Sequence, residues 1–351
     1  MTFEKKILAE MPKCYALGMF EGEDTPSFLA AVEKDGPIRR FTLDGEPLET
    51  VAPGPGGVMT ITQVPGRKDQ FLATRKFFSP NFGGDDAAIA SYTKQADGSW
   101  SEQILCDLPY VHRFGILKAA DGQLWVLACS IKGGAETGVK DDWRTPGAVW
   151  AAPLSNNLEQ YTADNQLKLT CVANYQVQNH GFWTAPDKLY ALISTAAGVF
   201  RYVPPTTPEG AWDVTCLLVQ PTSDIVATDF DGDGKLEILT FSKFHGDTLA
   251  IWHEGQTRDR YEQVWCDPQK RSFLHALWAA DLNGEKCAVI GNRKDGRDLL
   301  LVRYVDGEYT VDVIDHDLGP ANCMVYRHDG SDYIVAAYRE TDQLALYKVV
   351  E

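Results

Sequence analysis

A unit of about fifty residues, built as four short strands, recurs along the whole chain. Each copy runs strand, turn, strand, loop, strand, turn, strand. SDIVATDFDGDG, KLEILTFSKFHGD, TLAIWHEG and RYEQVWCDP make one copy; HALWAADLNG, EKCAVIGNRKDG, RDLLLVRYVDG and EYTVDVIDHDLG make the next. Helical periodicity is almost absent. Regular short strands with turn signals restrict the fold to a sandwich, barrel or propeller. The last copy, ANCMVYRHDG, SDYIVAAYRE and QLALYKVVE, stops one strand short. The missing strand stands at the other end of the chain, where FEKKILAEMP matches the fourth strands EQILCDLP and EQVWCDP. The pattern predicts an all-β, seven-bladed β-propeller, one domain over residues 1–351, with the N-terminal strand completing the last blade. A pair of β-sandwiches leaves that match unexplained.

Composition narrows the function. The 351 residues carry a formal net charge of −16 and no basic run, which argues against a nucleic-acid partner. MTFEKKILAEMPK has no apolar stretch of leader length, and no segment is apolar enough to span a bilayer, so a cytoplasmic protein away from membranes is expected. The eight cysteines form no CxxC pair and sit mostly in strand-like runs, where they read as small buried hydrophobes of a reducing compartment. Oligomeric state is not readable.

One turn carries a cation-binding pattern. In DFDGDGKLE, Asp229, Asp231 and Asp233 alternate, followed by Lys235 and Glu237. Alternate carboxylates converge on a hard cation, and glycine allows the bend between them. The flanks are strands, so this is not an EF-hand. Structural calcium or magnesium is expected on these five residues; an acidic turn without an ion is the alternative. The turn resembles the calcium-binding turn of the FG-GAP/VCBS repeat family, which builds β-propellers.

In a propeller the first strand of each blade lines the channel, and its first residues meet the second-to-third-strand loops at one mouth. His112, His180 and His275 open innermost strands, and His245 lies in such a loop, so all four face that mouth. Three imidazoles from separate blades suit a divalent transition metal, zinc or manganese, with His245 or Tyr110 as acid or base. Taken singly, each histidine also reads as a hydrogen-bonded channel residue. Arg113 follows His112. Lys243 precedes His245, and Arg75, Lys76, Arg293 and Arg339 occupy equivalent loops, which suits an anionic or electron-rich ligand. Two loops are enlarged, and their Phe82 and Trp143 are candidates to stack on a sugar ring. His253, His316 and His328 fall on outer strands or far-side turns and read as solvated.

No serine elbow, phosphate loop or dinucleotide fingerprint is present. The HRFG signature within Val111–Gly115 (VHRFG), together with the DxDGDG turn, resembles the propeller domain of aldos-2-ulose dehydratases. That resemblance implies metal-assisted elimination or isomerisation of a ketosugar; joined to the residues gathered at the mouth, it puts the metal on His112, His180 and His275 and the catalytic work on His245, Tyr110, His112, Arg113 and Lys243. A metal-assisted lyase or isomerase for a small keto- or uronic sugar is one reading. A non-catalytic propeller that binds a carbohydrate or a protein is the other.

Overall fold

A computed structural model describes residues 1–79, 81, 83–134, 139 and 141–350. They form seven four-stranded antiparallel sheets, with one 3-10 turn at Leu158–Gln160. Six sheets take their strands in chain order. The seventh runs Thr2–Glu10, Gln343–Val350, Ser331–Tyr338, Pro320–His328, so the expected closure is the observed one. Thr2 pairs with Val350 and Glu10 with Gln343. Phe28 of the first blade stacks on Phe41 at 5.4 Å and meets Tyr326 of the last blade at 6.0 Å. Leu8 and Ala9 pack on the same cluster, so the closing strand is also held by apolar contact.

Burial explains which segment became which strand. The middle strands, such as Ser331–Tyr338 and Leu124–Lys132, are buried on both faces because neighbouring blades sandwich them. Fourth strands such as Tyr261–Cys266 and Glu308–Asp315 lie at the rim, with many residues exposed. The cysteines follow that division only in part, since Cys106 is buried on the fourth strand Trp100–Asp107. All eight are free; Cys14, Cys106, Cys129, Cys287 and Cys323 are buried, but Cys171 and Cys266 are exposed and Cys216 is half-buried. Those last three sit on fourth strands, which have solvent on one side, so the expectation of buried cysteines fails there. Among the described residues no helix is long and apolar enough to cross a membrane.

Deleting residues 2–10 would strip the hydrogen-bonded edge from Gln343–Val350 and expose its apolar neighbours. A lower melting midpoint and concentration-dependent association are expected. Thermal melts and gel filtration check this; a truncated chain that melts as a monomer at the full-length midpoint would contradict it.

Candidate functional site

The channel end of the first strand carries a repeated irregularity. In blade one the pairing passes from Cys14–Val32 to Ala16–Ala31 and skips Tyr15. Blade three passes from Val111–Ser130 to Arg113–Cys129 and skips His112. Blade six skips His275, and blade seven skips Ala321. Each bulge releases the second residue from the ladder and re-aims it. His180 comes from the residue just before its strand, Gly181–Thr184. A Cβ on Gly181 would lie 2.1 Å from Ser194 Oγ and 2.8 Å from Asp224 Cα, so glycine permits blades four and five to approach closely here. His245 enters from the loop between the second and third strands of blade five, with φ 45° and its N–H donating to Ser223 Oγ at 3.1 Å.

These residues meet. Ring nitrogens of His180, His245 and His275 all lie within 4.8 Å of one another, a spacing that can hold a metal ion. His245, rather than His112, therefore completes the trio. His112 stands beside it, 4.6 Å from His180 between ring centroids. Backbone carbonyls fix two tautomers: Ser223 O accepts from His180 Nδ1 at 3.1 Å, and Ala321 O accepts from His275 Nδ1 at 2.6 Å. Each ring then turns an unprotonated Nε2 inward, the usual arrangement for a histidine ligand. His180 Nε2 is 3.4 Å from His245 Nε2, and Tyr15 Oη is 3.2 Å from His275 Nε2 and 3.5 Å from His112 Nε2. His112 Nδ1 is buried without a hydrogen bond. With Nε2–H tautomers at His245 and His112, His245 can donate to His180 and the Tyr15 hydroxyl to His275; a cation would instead take the inward lone pairs of His180, His245 and His275 together.

Burial keeps the imidazoles neutral. It drives His180 down to about 3 and His112, His245 and His275 well below the ordinary range, with neighbouring histidines and Arg113 or Arg293 adding to it. The same desolvation pushes Tyr15 up to about 12 and Asp224 up to about 7. Asp224 Oδ2 lies 3.7 Å from His180 Nδ1. Neither Tyr15 nor Asp224 was picked out in the sequence. Tyr15 had a signal, because CYALG occupies in blade one the place that VHRFG occupies in blade three.

A cavity of about 740 Å³ runs along the channel beside the cluster. Arg113, Asp224 and Asn322 line it near the histidines, and Lys188, Asp281 and Lys286 line it at the turn face. Its walls include Leu17, Met19 and Phe182. Arg113 donates from Nη1 to Met59 O at 3.0 Å, and its guanidinium lies 5.6 Å from the Tyr15 ring. On the other side, aromatic rings roof the cluster. Phe244 and Phe273 stack on His245 at 3.9 and 4.3 Å, and Phe77 meets His112 edge-on at 5.2 Å. The space for a ligand thus lies along the channel toward the turn face, below the loops where the sequence placed it.

The remaining candidates scatter. Tyr110 donates its hydroxyl to Asp85 at 3.1 Å, away from the histidine nitrogens that Tyr15 reaches. Lys243 is exposed, and Lys76 takes a positive φ of 58° while its N–H donates to Gly56 O. Three arginines are tied to carboxylates: Arg75 to Glu102 at 2.8 Å, Arg293 to Glu340 at 2.6 Å, and Arg339 to Glu33 and Glu340. Arg293 also lies over Phe273 at 4.7 Å, within the roof. Trp143 packs edge-on against Phe244 at 4.9 Å, with Lys132 Nζ over its ring at 5.0 Å. Phe82 lies outside the described residues.

The carboxylate turn lies between the first and second strands of blade five, away from the histidine cluster. Asp231, Asp233 and Glu237 gather there with His253, which comes from the third strand and is not the solvated side chain expected. Asp229 Oδ2 accepts the Gly234 N–H at 3.1 Å, and Asp233 Oδ1 accepts the Lys235 N–H at 2.8 Å, so both acids also shape the turn. Burial pushes Glu237 up to about 7.

No protein-family model matches the chain, and no curated protein matches it. Solved structures share the fold. A streptogramin B lyase superposes with a TM-score of 0.59 at 15% identity, covering 98% of this chain and 97% of its own. A candidate 6-phosphogluconolactonase from Bacteroides fragilis NCTC 9343 superposes at 0.59 with 12% identity, covering 94% and 89%. At these identities the likeness is one of architecture.

Asp224 has a distinct pH signature. Its carboxyl ionises near 3.8 when unfolded and near 7 when folded, so its contribution to stability is present below pH 4 and lost as pH rises through 7. Asp224→Asn is expected to be more stable than the parent at pH 8, with the gain fading toward pH 4. Urea titrations at both pH values check this; an equal gain at pH 4 would point to another cause.

Proposed function

We propose that the protein is a metal-dependent lyase or isomerase acting on a small keto-sugar or uronic sugar bound in the central channel. The observation that carries this is the convergence of His180, His245 and His275, two with tautomers fixed by backbone carbonyls, beside a cavity lined by Arg113 and Asp224. Three neutral imidazoles suit a borderline divalent ion such as zinc or manganese. Bound there, such an ion supplies Lewis acidity to a substrate carbonyl or carboxyl. The chain's own groups do the rest. Arg113 offers its charge to a carboxylate or to the developing enolate. Asp224, with its pKa near neutrality, is placed to take the proton α to the carbonyl. In the elimination, the C–H electrons form the new double bond and the β-hydroxyl leaves with a proton as water. In the isomerisation, the proton taken from the α-carbon returns to the former carbonyl carbon, while the α-hydroxyl proton passes to the carbonyl oxygen.

The sugar class draws support from the resemblance to the propeller of aldos-2-ulose dehydratases, and the elimination from a shared fold with a streptogramin B lyase. The strong negative charge favours a small molecule over nucleic acid, and eight free cysteines suit the cytoplasm. A second reading, a non-catalytic binding propeller, is favoured by the aromatic roof, which packs the histidines as a core.

Elemental analysis is expected to find a borderline metal whose content falls by one per chain in His180→Gln and in His275→Gln. Chelation should abolish turnover of keto- or uronic sugars, and zinc or manganese should restore it. Asp224→Asn should lower kcat by about 10²–10⁴-fold while raising stability at pH 8. Full activity in metal-free protein would sink the proposal in favour of the binding reading.

A further inference from the structure

We propose that the carboxylate turn of blade five is a second metal site of mixed nitrogen and oxygen donors, selective for a borderline divalent cation over calcium. Asp231, Asp233, Glu237 and His253 bring one ligand atom each within 4.8 Å of one another. An acidic turn alone would not carry this, and Glu237 supplies the independent observation. Its side chain is 0% exposed. Oε2 accepts the Phe230 N–H at 2.6 Å, but Oε1 is buried with no hydrogen bond. An unsatisfied buried carboxylate oxygen is costly.

A protonated His253 does not remove that cost. Its Nδ1 is 2.7 Å from the Glu254 carbonyl, which fixes a proton on Nδ1. Any proton on Nε2 is drawn to Asp233 Oδ2 at 3.1 Å, while Glu237 Oε1 lies farther off at 3.4 Å. One N–H cannot satisfy both oxygens well. A cation among the four side chains satisfies both, and it accepts the Nε2 lone pair as well. The donor set then selects the ion. Calcium takes oxygen ligands, whereas imidazole nitrogen with carboxylates suits manganese or zinc. The ion would tie the turn after the first strand to the third strand. Asp231 and His253 also line a cleft of about 440 Å³ with Trp265, Tyr304 and Tyr309, which leaves one side of the site open to water.

The inference stands apart from the histidine cluster. Metal-free full-length protein is titrated calorimetrically with Mn²⁺, Zn²⁺ and Ca²⁺. Parent and His180→Gln proteins are both expected to show a site preferring Mn²⁺ or Zn²⁺ over Ca²⁺ by about tenfold or more. His253→Gln should weaken Mn²⁺ at this site by about a hundredfold. Asp231→Asn, a change at an exposed turn, should weaken the same site. Calcium binding as tight as manganese and indifferent to His253→Gln would overturn the proposal, as would binding that neither variant alters. Loss of the central metal in His180→Gln with this site retained would separate the two centres.

Discussion

The molecule depends on the pairing of its first strand with its last. That ladder, from Thr2–Val350 to Glu10–Gln343, converts seven separate sheets into a ring. A closed ring holds the seven innermost strands at a common axis, so small local features there act together. A single skipped residue in blades one, three and six brings Tyr15 to His112 and His275 across 97 and 260 residues of sequence. The bulge is a local event, and the site it makes is a property of closure. An open arc of the same blades would present the same bulges to water.

Water exclusion sets the chemistry at the axis. His112, His180 and His275 are buried and His245 half-buried under the aromatic rings, all are held neutral, and the same desolvation raises Asp224 toward neutrality. A hydrophobic plug at this position would be more stable, because it would leave no inward lone pairs and no buried carboxyl. The chain retains polar groups where they cost stability, which is the usual relation between a functional centre and its scaffold. The far-face turn repeats the pattern on a smaller scale, with Glu237 buried beneath carboxylates that remain at the surface.

The fold was legible because the repeat encodes it: strand count, blade boundaries and the displaced fourth strand are all periodic features. The histidines were legible for the same reason, since equivalent positions in a ring share a mouth. What the sequence obscured was pairing. Arg75, Arg293 and Arg339 look like a basic rim until Glu102, Glu340 and Glu33 are seen beside them. Asp224 resembles any strand-opening acid, and only its burial beside His180 distinguishes it. His253 follows the turn by sixteen residues and reaches it across two strands, a contact that spacing along one loop cannot show. Tyr110 nearly adjoins His112 in sequence, yet its hydroxyl serves Asp85, and it is the distant Tyr15 that reaches the histidines.

The channel cavity has a histidine cluster and an aromatic roof toward one face and lining residues Lys188, Asp281 and Lys286 toward the other. The aromatic rings narrow the histidine end, so the cavity beside Arg113 extends mainly toward the turn face. The short turns between first and second strands stand around that end of the cavity, while Phe77 and Trp143, from the loops of blades two and three, pack at the histidine end. Changes in those turns would reshape the wide end of the cavity and leave the histidines alone, whereas changes at Phe77 or Trp143 would bear on the packing above the imidazoles.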